Sequence, residues 1–138
     1  MKICYVCSRY ADPDPALRRR NLAEARALAR WAEAQGYAVV TWWGSLEPDD
    51  PPCDSDEAVR RAALARSGEL AAMVGDMGGA IIGPAWYQIT MGMFDDLTAF
   101  VRGHRADVEA TKILVAWSEV EPYYRAPVDA IPRAQVQA

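Results

Sequence analysis

The sequence predicts an α/β fold: a parallel β-sheet with helices on both faces. Three observations lead there. Four short β-rich apolar runs recur along the chain: Lys2–Cys7 (KICYVC), Ala38–Trp42 (AVVTW), Ala80–Ile82 (AII) and Lys112–Trp117 (KILVAW). Between consecutive runs lies a longer segment whose apolar residues recur at helical spacing. Glycines and prolines punctuate the junctions. Alternation of this kind implies parallel strands joined by right-handed crossovers. Four strands are expected, and a fifth has room only in the tail.

The first run is apolar throughout after Lys2, which marks a strand buried on both faces and places it centrally. Cys4 and Cys7 have C-x-x-C spacing, but residues three apart on a strand point to opposite faces. They are therefore expected to be buried or free thiols, and Cys53 lies alone in a polar stretch. Ser8, Arg9 and Tyr10 follow at the strand's carboxyl end. No G-x-G-x-x-G and no P-loop occurs there, so no nicotinamide or flavin site is expected. Ser8 and Arg9 offer a hydroxyl and a guanidinium suited to a phosphate or a sugar. A surface ion pair accounts for Arg9 equally well.

Asp14 and Pro15 are suited to the N-cap and first position of a helix, and Gly36 to its end. Leu22, Ala25, Leu28, Ala29 and Ala32 supply its buried face, while Arg18, Arg19 and Arg20 read as a solvated basic run. After the second strand, Trp43 to Asp54 forms a polar loop, long enough for a lid or wall. Trp42 and Trp43 suit a base-stacking wall or ordinary packing. Asp54 and Glu57 resemble a capping box opening a second helix with a stripe at Val59, Ala63, Leu70, Met73 and Val74. Arg66 falls in that stripe, where a charge reaches a partner, snorkels or faces a ligand.

After the third strand come Gly83 and Pro84, expected to end it, then Trp86, Tyr87 and Thr90. A helix is predicted from Thr90 to about Arg102, ended by Gly103, with His104 capping it through the helix dipole. Met93, Phe94, Leu97, Phe100 and Val101 form its stripe. Asp95 points away, and Asp96 sits at the stripe's edge, where a carboxylate is partly desolvated. Position alone also fits Asp96 as compensation for the helix dipole. Ligands of open parallel sheets bind beyond the carboxyl ends of the strands, and these loops are expected there.

The chain has 138 residues, 51% of them apolar, and a net charge of -4. One domain over 1–118 is expected, followed by a tail, 119–138, that is disordered or packs on a partner subunit. The acidic balance argues against a nucleic-acid polymer as partner. No apolar run approaches the ~20 residues of a membrane span, nor is there a signal peptide, so a cytoplasmic protein without membrane attachment is expected.

In order and spacing, residues 1–117 resemble the nucleoside 2-deoxyribosyltransferase-like superfamily, above all its uncharacterised phage and bacterial branch. MKICYVCSRY is similar to that branch's opening strand. Asn21, Ala25, Glu33, Gln35, Gly36 and Tyr37 are similar to its first helix and turn, and Asp76 to an acidic residue before the third strand. The family's Ser-x-Gly-x-x-x-Glu segment corresponds to Thr90-Met91-Gly92-Met93-Phe94-Asp95-Asp96. The resemblance implies a flavodoxin-like or Rossmann-like three-layer sandwich on a four- to five-stranded parallel sheet. It implies an N-glycosidase or deoxyribosyltransferase acting on a nucleoside or nucleotide, with Asp96 as the nucleophile and Thr90 at the phosphate. The expected substrate-binding set is Ser8, Arg9, Tyr10, Arg66, Trp86, Tyr87, Thr90 and Gly92. No metal or other cofactor is implied, and a homodimer or larger homo-oligomer is. Two positions depart from the pattern: Asp96 is one methylene shorter than Glu, and Gly68 stands where catalytic members often carry Asp. Those departures keep a second expectation open, a non-catalytic nucleotide-binding or signal-sensing protein on the same fold.

Overall fold

β1 (Lys2–Val6) is the central strand of a four-stranded, all-parallel sheet. The structure, a computed structural model, describes residues 2–10, 12–43, 57–104 and 111–127. With β2 (Tyr37–Thr41), β3 (Ala80–Pro84) and β4 (Thr111–Val115), the order across the sheet is β2-β1-β3-β4. Alternation along β1 sends Cys4 and Val6 into the core on one face, and Tyr5 and Cys7 into the core on the other. The two thiols are buried and free, on opposite faces as the spacing predicts.

α1 (Pro15–Ala34) covers the first face, with α2 (Glu57–Asp76) and α3 (Met91–Gly103) on the second. The result is a flavodoxin-like or Rossmann-like three-layer fold. Asp14 caps α1 by accepting from the Ala16 N–H at 2.9 Å, and Gly36 ends it at φ 94°, a left-handed angle that suits glycine. Thr90 caps α3, its hydroxyl accepting from the Met93 N–H at 3.3 Å.

The buried lines of α2 and α3 differ from the apolar stripes. On α2, Ser67, Ala71, Val74 and Gly75 are buried among the described residues, while Arg66 and Met73 are exposed. On α3 they are Met93, Asp96 and Phe100, while Phe94 and Val101 are exposed. The reason is a seam of small residues between the two helices, which hydrophobic periodicity does not register. A Cβ on Gly75 would lie 2.5 Å from the Phe100 carbonyl, and one on Gly103 would lie 2.6 Å from the Ala72 carbonyl. Gly68 faces Ala99 and Gly92 faces Leu64 along the same seam. Close packing against backbone at Gly75 and Gly103 turns each helix so that Ser67 and Asp96 face inward.

β3 runs two residues further than expected. Alternate residues of a strand address the same neighbour. The Ala85 N–H donates to the Val115 carbonyl at 2.9 Å, so Gly83 also addresses β4. The N–H that Pro84 lacks would have faced β1, where it is not needed for pairing with β4.

Beyond β4 lie α4 (Trp117–Val120) and a 3-10 turn, Glu121–Tyr123, packed on the α1 face. Val120 is fully buried, and Arg30 Nη1 donates to the Tyr123 carbonyl at 3.0 Å. The start of the expected tail thus packs on this domain's own core. The polar stretch 44–54, with Cys53 and the Asp54 capping box, lies outside the described residues. So do the side chains of Val59 and Ala63 and the tail from 128. No fifth strand occurs among the described residues, and no helix there is long and apolar enough to cross a membrane.

Candidate active site

The chain reverses its direction of travel across the sheet between β1 and β3, the switch point where open α/β sheets bind ligands. Pairing between these strands runs from Cys4↔Ala80 to Val6↔Ile82 and closes with the Cys7 N–H donating to the Ile82 carbonyl at 2.8 Å. β3 and β4 stay paired to Pro84↔Val115. The chain after β1 and the chain after β3 therefore diverge, and their loops flank the gap.

Asp96, on α3, is only 6% exposed and carries its carboxyl group into the core between α2, α3 and β1. The Tyr5 hydroxyl donates to Oδ2 at 2.7 Å, and the Ser67 hydroxyl lies 2.8 Å from Oδ1. The single Ser67 proton is shared in reach with the Leu64 carbonyl at 3.0 Å. Burial raises the Asp96 pKa above the ordinary carboxylate range, and the two hydroxyls offset part of that rise. Burial first, then the neighbouring Asp96 charge, pushes the Tyr5 phenol up, so Tyr5 remains a donor. The Cys7 thiol, donating to the Met93 carbonyl at 3.5 Å, is also pushed up by burial and by Asp96. A carboxylate has room for about four acceptor contacts, so two hydroxyls leave capacity on Asp96. A desolvated carboxylate held this way can act as a nucleophile or take a proton.

The wall after β1 carries Ser8, Arg9 and Tyr10. Ser8 Oγ accepts from Trp42 Nε1 at 3.0 Å, which leaves its own proton for a further acceptor. The Arg9 guanidinium lies over the Tyr87 ring, 3.9 Å from its centroid, and the Arg9 N–H donates to the Tyr87 hydroxyl at 3.0 Å. Tyr10 packs against Trp42 with ring centroids 5.1 Å apart. On the opposite wall, Trp86 meets Tyr87 edge-on at 5.7 Å and Trp117 at 5.0 Å. One face of Tyr87 is thus taken by Arg9, which makes Tyr87 a clamp between the loops.

Three expected site residues take other places. Arg66 is exposed on α2, one position from the buried Ser67. Gly92 belongs to the α2–α3 seam, where an added Cβ would meet Leu64 at 3.6 Å. Thr90 is exposed, with its hydroxyl used in capping α3. Asp76 is exposed at the end of α2, before β3 begins, and so lies at the strand's opposite end from the gap. His104 caps α3 as expected, with Nδ1 2.7 Å from the Val101 carbonyl.

Sequence reasoning missed five residues. Tyr5 was read as core, although a buried phenol requires a partner. Ser67 carried no signal beyond its spacing. Arg20, Asn21 and Glu24 are buried on α1, not solvated: Arg20 and Glu24 are each 1% exposed. Their i, i+4 spacing and opposite charge were the available signal. Glu24 Oε2 lies 3.8 Å from Arg20 Nε and 3.8 Å from Arg9 Nη2. Arg20 Nη2 donates to Asn21 Oδ1 at 3.0 Å, and Asn21 Nδ2 donates to the Tyr10 carbonyl at 3.1 Å. Among the described residues, no group of three or more His, Cys, Asp or Glu side chains is placed to hold a metal ion. Compared with protein-family models, with curated proteins and with solved structures, the chain matches none.

Proposed function

We propose that this protein cleaves the base–sugar bond of a nucleoside or nucleotide, as an N-glycosidase or 2-deoxyribosyltransferase-like enzyme, with Asp96 as the nucleophile. The observation that carries this reading is the buried Asp96 carboxylate, hydrogen-bonded by Tyr5 and near Ser67. Asp96 attacks C1′ through an oxocarbenium-like transition state. The C1′–N bond breaks, its electron pair leaves with the base, and the base takes up a proton. The resulting glycosyl ester is opened at C1′ by water, giving hydrolysis, or by a second base, giving transfer. Tyr5 orients the attacking oxygen pair and spreads its charge before attack. Burial strips water from the carboxylate, which strengthens its interaction with the developing cation. Arg9 and Ser8 supply donors for a 5′-phosphate, and Tyr10 and Trp86 supply aromatic surface for the base.

Low exposure of Asp96 favours a second reading, a non-catalytic nucleotide-binding protein that keeps the same pocket. The shorter side chain points the same way, since misplacing a reacting group by ~1 Å costs about 10²-fold in rate. Base release separates the two. Purified protein is incubated with ribo- and deoxyribonucleosides and their 5′-monophosphates, and free base is followed by chromatography. Release that disappears in Asp96→Asn supports the enzyme. Binding without release, by wild type and variant alike, supports the second reading. Self-association belongs to the same proposal, and exposed Met91, Phe94 and Leu114 offer apolar surface for it. A monomer at micromolar concentration in light scattering would remove that part.

A further inference from the structure

We propose that Ser67 is a positioning residue that turns its one hydroxyl proton between Asp96 and the Leu64 carbonyl, so that Asp96 gains and loses a proton with its hydrogen bonds complete in both states. Only the use of this switch in catalysis rests on the glycosidase reading above. Ser67 Oγ lies 2.8 Å from Asp96 Oδ1 and 3.0 Å from the Leu64 carbonyl oxygen. Leu64 stands one turn earlier on α2, so its carbonyl is a second acceptor built into the helix. A hydroxyl has one proton to give and two lone pairs to receive with. When Asp96 is ionised, Ser67 donates to Oδ1. The Leu64 carbonyl belongs to the helical ladder of α2, so it is not left bare. When Asp96 is protonated at Oδ1, the direction reverses: Oδ1–H donates to Ser67 Oγ, and Ser67 donates to Leu64. No heavy atom needs to move between the two arrangements.

Tyr5 secures the other oxygen, its hydroxyl donating to Oδ2 at 2.7 Å. From β1, the titratable groups facing the cluster are Tyr5 and Cys7, both pushed well above their ordinary values by burial. Both stay protonated where Asp96 titrates. From α3 there is Asp95, which is exposed and whose charge adds to the rise of Asp96. On α2, Arg66 and Glu69 flank Ser67 in sequence and are exposed. In the ester-opening step of the glycosidase, water adds to C1′, and the bond from C1′ to the carboxyl breaks with its electron pair on the carboxyl. The surplus proton of the water is taken up at Oδ1 while Ser67 turns to Leu64. Loss of that proton to solvent restores the carboxylate. Ser67 acts through Asp96 and does not touch the reacting atoms.

Carbon NMR titration of the Asp96 carboxyl, assigned by its absence in Asp96→Asn, tests the switch together with urea unfolding on either side of the measured pKa. A hydrogen bond to an ionised acceptor is stronger than one between neutral groups, so Ser67→Ala is expected to raise the pKa by about one pH unit. The same variant is expected to shift the unfolding equilibrium about fivefold below the pKa and about fiftyfold above it, because a bond is lost from each state. Ser67→Thr keeps the hydroxyl and is expected to titrate as the wild type does. Where Ser67→Ala does not fold, Ser67→Cys puts a weak donor and acceptor in the same place, and a rise is again expected. A lowered or unchanged pKa would overturn the proposal, since a hydroxyl fixed on Leu64 supports the acid and not the carboxylate. Destabilisation confined to pH above the pKa would overturn it too, since a hydroxyl fixed on Asp96 serves only the ionised form. So would Ser67→Thr titrating like Ser67→Ala. The acid limb of base release is expected to move with the pKa, and a limb that stays in place would overturn the catalytic use. The expected titration with no base release by any form would sustain the switch and remove the glycosidase reading.

Discussion

The two faces of the sheet each bury a polar cluster, and the clusters are built in opposite ways. Between α2 and α3, one carboxylate is surrounded by neutral groups, Tyr5 and Ser67. Beside α1, Glu24 is surrounded by charge, with Arg9 and Arg20 each 3.8 Å away. Burial raises the Asp96 pKa and the two hydroxyls offset only part of that rise, so the carboxyl group stays above the ordinary carboxylate range. Opposite charges cancel each other and hold position, so the second cluster is suited to fixing a geometry. A desolvated carboxylate and a paired charge cluster thus lie on opposite faces of the sheet.

The division has measurable consequences, and the largest falls on the charged cluster. Glu24→Gln leaves two guanidiniums without their shared anion and is expected to cost about 3–5 kcal/mol of stability in urea unfolding. A loss below about 1 kcal/mol would mean that the cluster is solvated and that the contrast does not exist. Next comes the seam that turns Asp96 inward. Gly103→Ala drives a Cβ to within 2.6 Å of the Ala72 carbonyl, and the expected cost is about 3 kcal/mol. Wild-type stability in this variant would show that α2 and α3 can separate at no penalty, leaving the inward turn of Asp96 unexplained.

The smallest effect has the opposite sign. The native Asp96 pKa is raised, so the folded state holds that proton more tightly than the unfolded chain. The stability this contributes is complete below the ordinary aspartate value and is lost as pH rises through the native one. Thermal melts across pH are expected to show the wild type declining over that interval. Asp96→Asn should remove the decline and gain about 1 kcal/mol at neutral pH, stability exchanged against activity. Parallel pH profiles for the two proteins would mean that the carboxylate is not desolvated.

Much of the framework was legible because local chemistry decides it. The Asp14–Pro15 start and Gly36 end of α1, the Thr90 cap and the four strands follow from single residues or short patterns. Asp96 was legible as a partly desolvated carboxylate, though not with its partners. Ser67 and Tyr5 meet it only after α2 and α3 pack on β1, and nothing in their own surroundings in sequence announces this. The inward turn of both helices depends on Gly75 and Gly103, whose missing side chains are silent in a hydrophobic pattern. Arg20 and Glu24 were hidden for the reverse reason, since charged residues suggest solvent until a partner one turn away is considered. Arg66 misled by its spacing, because the stripe to which it was assigned is not the buried one.

The close backbone contact of α2 with α3 also bears on how such a protein could change over evolutionary time. The seam that turns Asp96 inward cannot accept even a methyl group at Gly75 or Gly103 without displacement. The walls, Ser8–Tyr10 and the segment around Trp86, are loop residues outside that interlock. Variation is therefore channelled to these loops, which can change from one descendant to another while the interlocked helices below are inherited unchanged.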